Sequence, residues 1–147
     1  MTVTLPNEYG LVIAAATSTF FVNTLHGLLT SRHRKAAGVK YPITYATAEQ
    51  ADKDPKVYKF NCAQRAHANF TENLTPFLGA LLVSGLKYPV YAAGLGAVWA
   101  VSRVVFALGY TSNGPQGRLL GAAGGSLSDI VLKLTAAYVS LGYVLGW

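Results

Sequence analysis

The sequence has little charge and almost no cysteine. Only 12% of its 147 residues are charged, whereas 52% are hydrophobic and the mean hydropathy is +0.32. Soluble domains carry about twice that share of charged residues, so the composition excludes an ordinary soluble domain. The single cysteine, Cys62, excludes an intrachain disulfide and any CxxC or multi-cysteine metal site.

Acidic residues and histidines are also scarce. Six acidic residues stand against 12 basic ones, which gives a formal net charge of +6. The three histidines are scattered along the chain, and we expect no metal site. Because the basic residues do not alternate with aromatic residues on one face, we expect no nucleic-acid partner. Membrane topology and an anionic lipid or ligand explain the excess of basic residues better.

The charged residues are segregated along the chain. The chain has 18 acidic and basic residues, of which 12 lie in the range 32–72. The remainder of the chain is almost uncharged. Residues 9–31 carry no charge and are long enough to cross a hydrocarbon core of roughly 30 Å. Further spans are predicted at about 58–86, 90–110 and 119–147. The sequence therefore predicts an all-α membrane protein, a single domain over residues 1–147, with four transmembrane helices in an up-down bundle.

The only sizeable polar segment is 32–59, between the first two predicted helices. It contains seven Lys or Arg residues and three Asp or Glu residues. The positive-inside rule predicts that this segment is cytosolic, and the loop that carries Arg118 then lies on the same side. We expect the membrane to be the endoplasmic reticulum, with the outer mitochondrial membrane as the alternative.

Arg65, Asn69 and Glu72 lie at the polar start of the second predicted helix. Their spacings of four and three residues place them along one stripe of a helix, beside hydrocarbon in which ionisable groups are costly. A bound, charged, peptide-like ligand would explain this stripe. The alternative is a structural ion pair between Arg65 and Glu72 that makes a polar bundle interior tolerable.

Other polar and small residues inside the spans have simpler interpretations. We expect Arg103 to be a buried partner of an acid in the bundle or in the trimer interface, and Asp129 and Lys133 to form an ion pair with each other. Cys62 is expected to be a small buried side chain rather than a nucleophile. Three glycines at four-residue spacing predict close contact between the fourth helix and a neighbour: Gly117, Gly121 and Gly125.

A longer motif surrounds the polar stripe. Residues 60–69, FNCAQRAHAN, with Glu72 and Pro76 after them, resemble the second-helix signature of the membrane-associated proteins in eicosanoid and glutathione metabolism, the MAPEG family. The further matches follow in the same order over nearly the whole chain: 7–10, 39–45, 94–99, Arg103 and 109–110. Within the family, the type-3 microsomal glutathione S-transferases are the most similar members.

This resemblance implies a homotrimer of four-helix subunits that binds glutathione as a co-substrate between neighbouring subunits, on the cytosolic side. Arg118 is implied as the catalytic arginine that stabilises the glutathione thiolate. The implied glutathione contacts are Arg34, Arg65, His67, Asn69, Glu72 and Tyr110. Two positions depart from relatives: Phe106 stands where many carry tyrosine, and Lys35 stands where leukotriene C4 synthase has an arginine proposed as a proton donor.

The chemistry of glutathione fits these residues independently. Arg34 and Arg65 can bind its two carboxylates, and Glu72 can bind its ammonium group. A thiol of pKa about 8.5 is mostly protonated at neutral pH, and the Arg118 guanidinium would favour the thiolate. Simpler interpretations exist, because Arg118 alone could be an anchor that extends to lipid headgroups and Arg34 alone could be a topology signal.

The expected function is that of a membrane glutathione S-transferase with peroxidase activity. Thiolate attack on a lipophilic electrophile gives a conjugate, including leukotriene C4 synthase-type products, and attack on a lipid hydroperoxide gives an alcohol. The alternative is a non-catalytic lipid-binding scaffold like the lipoxygenase-activating member of the family. A transporter or channel is disfavoured, because the polar groups cluster at one face and do not line the full bilayer depth.

Overall fold

Residues 4–146 are described by a computed structural model, in which they form an all-helical bundle. The predicted end of the last helix at Trp147 lies outside the described residues. The described chain contains five helices where four were predicted. They are α1 (Tyr9–Ala37), α2 (Ala48–Lys53), α3 (Pro55–Gly85), α4 (Pro89–Gly117) and α5 (Leu119–Leu145).

The unpredicted helix is α2, a short element inside the polar segment. Its start is a capping box, in which the Thr47 hydroxyl accepts a hydrogen bond from the Gln50 amide at 3.2 Å. The Gln50 side-chain oxygen accepts one in return from the Thr47 amide at 3.1 Å. This reciprocal pair satisfies two backbone donors that a helix start otherwise leaves free, and it explains why a helix forms among polar residues.

Three of the long helices, α1, α3 and α4, also extend beyond the predicted spans. α1 continues to Ala37 and ends at Gly38, which has a φ of 64°. α3 begins at Pro55, and the Asp54 carboxylate accepts a hydrogen bond from the Lys56 amide at 2.8 Å. α4 reaches Gly117 only through a break at Asn113 and Gly114. The third span was predicted to end close to this break, at about residue 110.

Three of the long helices can cross a membrane by length and hydropathy: α1, α4 and α5. α3 is not among them, since its first half carries the polar stripe. Several apolar side chains lie on the bundle surface, where Phe21 is 73% exposed and Leu120 is 77% exposed. Such surfaces suit contact with lipid. The fourth span and the trimer are not shown by this chain and stay predictions.

A column of aromatic rings holds the bundle together. The Phe77 and Trp99 rings stack with centroids 3.8 Å apart, and the Phe70 ring packs at a tilt against Trp99 with centroids 5.6 Å apart. All three side chains are fully buried. Because Val12 of α1 and Leu132 of α5 belong to the same cluster, one apolar core fixes the four long helices relative to one another.

The predicted close contact of the fourth helix with a neighbour is confirmed at Gly121, whereas Gly117 contacts Gly109 of its own helix. A Cβ atom on Gly117 would collide with the backbone of Gly109, and one on Gly121 would collide with the backbone of Phe106. At Gly125 the contacts would be ordinary ones with side chains. Gly117 is the last residue of α4, whereas the prediction placed it in the fourth helix. The hairpin of α4 and α5 thus sets the positions of Phe106 and Arg118.

Candidate functional site

The polar stripe of α3 contains an ion pair. Arg65 Nη1 lies 2.9 Å from Glu72 Oε1, with the two side chains 45% and 55% exposed. The pairing is the one proposed as the structural alternative, but it lies on the bundle surface and not in a polar interior. Polar surroundings suit a half-exposed ion pair on a membrane protein, and water, lipid headgroups, a ligand or another subunit can each supply them.

Asn69, the middle residue of the stripe, is held by Arg103 of α4. Arg103 Nη1 donates a hydrogen bond to Asn69 Oδ1 at 2.9 Å, and Arg103 is only 5% exposed. The predicted burial of Arg103 is confirmed. The expected acid in the bundle is Asp129, whose charge acts on Arg103. Asp129 also pairs with Lys133 at 2.5 Å, as predicted. Since Arg103 occupies the Asn69 oxygen, the Asn69 amide nitrogen is oriented away from it.

A cavity of about 280 Å³ lies between α3, α4 and α5, and we call it the two-arginine cavity. Arg118 and Arg103 both line it, together with Asn69, Phe106 and Ser126. No carboxylate is among the described residues that line it. A cavity with two guanidinium groups and an amide is a suitable environment for an anion.

A second cavity of about 360 Å³ lies between the polar segment and the start of α3, and we call it the tyrosine cavity. Tyr45, Tyr58, Arg65 and Tyr110 line it. The two cavities are adjacent, because the guanidinium of Arg118, which lines the first, lies 5.1 Å from the ring centroid of Tyr110, which lines the second. A ligand that extends from Arg65 to Arg118 would therefore cross the buried Tyr110 side chain.

Two of the predicted glutathione contacts lie elsewhere. Arg34 is buried against the polar segment, where its Nη1 donates to the Ile43 carbonyl at 2.6 Å. Its guanidinium lies 4.4 Å from the Tyr41 ring and 4.5 Å from the Phe60 ring. His67 points to the other side of α3, where its Nε2 lies 3.1 Å from Asn23 Oδ1. One chain does not bring all predicted contacts to one place.

The two departures from relatives lie in different surroundings. Phe106 lines the two-arginine cavity and packs edge-on against Tyr110, with ring centroids 5.7 Å apart. Its missing hydroxyl therefore leaves an apolar surface beside Arg118. Lys35 is exposed in the last turn of α1 and does not line either cavity.

Sequence reasoning missed some residues of these cavities. Arg103 was interpreted as structural, although an arginine inside an apolar span is by itself a signal of function. Cys62 is buried as predicted and also lines the tyrosine cavity beside Tyr58. Helical spacing places Cys62 beside Tyr58, but it does not indicate that Tyr45 and Tyr110 line the same cavity. Among residues 4–146, no group of three or more His, Cys, Asp or Glu side chains lies together.

Comparison with known proteins gives two matches. A model of the MAPEG family matches residues 12–138 of the chain. A protein of Synechocystis sp. (strain ATCC 27184 / PCC 6803 / Kazusa), named "Uncharacterized protein sll1147", is 32% identical over 127 residues, which cover 86% of this chain and 82% of that protein. Because that name states no activity, this relative gives no support to a type-3 specificity.

Proposed function

The chain belongs to the MAPEG family of integral membrane proteins, and on that premise we propose that it is a glutathione-dependent transferase and peroxidase. The observation that carries this proposal is the position of Arg118. Its guanidinium lies on the Tyr110 ring and lines the same cavity as Asn69. Two residues implied as glutathione contacts thus surround the residue implied to activate the thiol.

The Arg65–Glu72 pair suits the backbone of glutathione. Each ion of the pair is half-exposed, so a carboxylate of the ligand can approach Arg65 while the ligand ammonium approaches Glu72. Both ions then exchange one charged partner for another, and the net cost of separating them is small. The Asn69 amide nitrogen can donate to a peptide carbonyl, because Arg103 holds its oxygen.

Arg118 would activate the glutathione sulfur through its charge. A guanidinium does not lose its proton in proteins, so it does not act as a base. It favours the thiolate over the thiol, and this preference grows where water is partly excluded. Phe106 and Leu119 supply apolar walls beside Arg118. The thiolate would then attack a lipophilic electrophile to form a conjugate or a lipid hydroperoxide to form an alcohol.

We place the complete site between subunits of a homotrimer. Arg34 and His67 contact the polar segment and α1, away from the two cavities. A glutathione molecule in the cavities of one subunit could meet Arg34 and His67 only from a neighbouring subunit. This arrangement also gives the half-exposed Arg65–Glu72 pair a polar neighbour and covers the polar half of α3 within the membrane, as a fourth span.

Mixed trimers test this arrangement. Arg34→Ala and Arg118→Ala should each lower activity in homotrimers. Coexpression of the two variants with different affinity tags, followed by tandem purification, should recover part of the activity. It recovers because some interfaces then combine an intact Arg34 from one subunit with an intact Arg118 from the next. Activity of the mixed trimers no higher than the mean of the two homotrimers would place both arginines in one subunit's site or outside it.

The proposed substrates are lipophilic molecules that reach the site from the bilayer. The apolar residues Leu119 and Leu120 are exposed at the start of α5, next to the two-arginine cavity. The likeness of residues 60–69 to type-3 members supports peroxide reduction beside conjugation. We place the protein in the endoplasmic reticulum with the polar segment in the cytosol. Fluorescence microscopy of the tagged protein with organelle markers tests that location.

Ultraviolet difference absorbance tests glutathione activation directly. We expect the detergent-solubilised protein to develop a thiolate band when glutathione is added, because Arg118 favours the ionised sulfur. S-methylglutathione is the matched control, since it retains the backbone groups but has no ionisable thiol, and it should give no band. Equilibrium dialysis with labelled glutathione measures binding in the same sample. Absence of both the band and binding would contradict the proposal.

One observation favours a second candidate, the non-catalytic lipid-binding scaffold. A largely apolar groove of about 550 Å³ lies at the opposite end of the bundle and is lined by Tyr88, Tyr91, Leu134, Thr135 and Tyr138. Such a groove suits an acyl chain. The scaffold would need no glutathione, so dialysis that shows lipid retention without glutathione binding would select it over the enzyme.

A further inference from the structure

Arg103 is a second guanidinium group in the cavity of Arg118, and the proposed thiolate chemistry does not use it. Its side chain is 5% exposed and lies between the rings of Trp99 and Phe106, 5.0 and 5.5 Å from their centroids. Nη1 donates to Asn69, whereas Nε has no hydrogen-bond partner among the described residues. A guanidinium has five N–H donors, and burial makes unpaired ones costly.

A glycine of α5 lies beside Arg103. A Cβ atom at Gly125 would lie 3.6 Å from Arg103 Nε, which is an ordinary contact. Along α4, Arg103 lies seven residues before Tyr110, which is about 10 Å of helix. Arg118 lies against Tyr110. The two arginines therefore define an inner and an outer end of one 280 Å³ cavity, into which both long side chains extend.

The inner end carries the positive charge of Arg103, and the acid that acts on this charge, Asp129, does not line the cavity. Asp129 Oδ2 is paired with Lys133, and Asp129 Oδ1 is buried without a hydrogen-bond partner among the described residues. Among the described residues that line the cavity, none is acidic. The walls beside Arg103 are the Phe106 ring and Ala122. This environment fits a molecule with an apolar body and a small oxygen group that becomes negative during the reaction.

We propose that the inner end of the two-arginine cavity is a subsite for the peroxide group of a lipid hydroperoxide, and that Arg103 stabilises the departing alkoxide. This inference rests on the proposed function and assigns a role in one of its two reactions, peroxide reduction, to a particular residue. An electrophile that loses a halide or opens a conjugated double bond places its charge elsewhere and gains less from Arg103. Peroxide reduction would therefore depend more strongly on the Arg103 guanidinium than conjugation does.

The chemistry balances with glutathione as the only co-reactant. The thiolate, held at Arg118, attacks the terminal oxygen of the hydroperoxide, so that an S–O bond forms and the O–O bond breaks. Sulfur is oxidised to the sulfenic acid, and the inner oxygen leaves as an alkoxide that Arg103 stabilises by hydrogen bonding. A proton from water gives the alcohol. A second glutathione converts the sulfenic acid to the disulfide and releases water.

The ratio of peroxidase to transferase turnover tests this assignment. In Arg103→Gln, we expect the turnover of a fatty-acid hydroperoxide, divided by that of 1-chloro-2,4-dinitrobenzene, to fall about tenfold or more, since a hydrogen bond to a developing charge is lost. Across alkyl hydroperoxides, turnover of the variant should also depend more steeply on the acidity of the departing alcohol. Arg103→Lys, which keeps a positive donor, should recover part of the ratio.

Lys87→Gln is the control, because it removes one positive charge at the opposite end of the bundle. It should leave the ratio unchanged. If Arg103→Gln lowers both activities in parallel, or changes neither, Arg103 acts only through Asn69 or the fold and the inference is overturned. If the wild-type protein shows no thiolate band and neither activity, the proposed function itself fails and the inference fails with it.

Discussion

Replacing Arg118 with alanine is expected to abolish the glutathione thiolate band and to lower turnover by about a hundredfold or more, as loss of one stabilising donor at a reacting anion does elsewhere. Glutathione affinity should change much less, because Arg65, Asn69 and Glu72 remain. The physical reason is that the Arg118 charge acts on the sulfur, whereas the other groups bind the peptide backbone. Turnover, dialysis and difference absorbance on one preparation separate these effects.

Two further variants test whether the effect belongs to the Arg118 guanidinium. Arg118→Lys keeps the charge but loses the flat contact with the Tyr110 ring, so it should retain part of the band and part of the turnover. Arg32→Ala removes an exposed arginine in α1 and should behave as wild type. Unchanged turnover in Arg118→Ala would exclude this arginine from the mechanism and favour the simpler interpretation of a membrane-surface anchor.

The sequence predicted the long helices because charge and hydropathy determine where a chain can enter a bilayer. It missed α2, although Thr47 and Gln50 stand at the spacing of a capping box. It also missed the continuation of α4, where Gly114 adopts a φ of 63° and allows the helix to resume at Pro115. Both features depend on local backbone chemistry that a search for long apolar runs does not detect.

The candidate site was predictable in part for a similar reason. Arg65 and Glu72 lie on one helix, so helical spacing alone places them together, and the structure shows them paired. The contact between Arg103 and Asn69 joins residues 34 positions apart, and no periodicity in one sequence indicates it. The contact between Arg34 and the Ile43 carbonyl was equally hidden from sequence reasoning, since Ile43 lies in a loop. The role of these residues in glutathione binding stays a prediction.

The polar half of α3 fits the proposed site between subunits. Its stripe contains an ion pair that is about half exposed, and α3 is not among the three helices that are long and apolar enough to cross a membrane. A lipid-facing surface of this kind would be costly. In a trimer, the same stripe would face a neighbouring subunit and the ligand. The features that make α3 unsuitable as an isolated span are therefore the ones that the proposed site requires.

Gly121→Ala is expected to have a large effect on stability. The added Cβ atom would collide with the backbone of Phe106, and backbone atoms cannot rotate away as a side chain can. Overpacking of this kind costs about 1–3 kcal/mol, and displacement of α5 would also move Arg118 away from Tyr110. We expect a lower thermal unfolding temperature in detergent, or no folded protein, and a proportionate loss of the thiolate band in any folded fraction.

Gly94→Ala is the matched control within α4, because a Cβ atom there would meet nothing within 4 Å. Alanine replaces glycine in a helix with a gain of roughly 0.5–1 kcal/mol, so this variant should be as stable as wild type or slightly more so. The pair of variants therefore separates helix propensity from helix contact. Equal stability of Gly121→Ala and Gly94→Ala would mean that α4 and α5 do not approach closely at Gly121, and that Arg118 is positioned in another way.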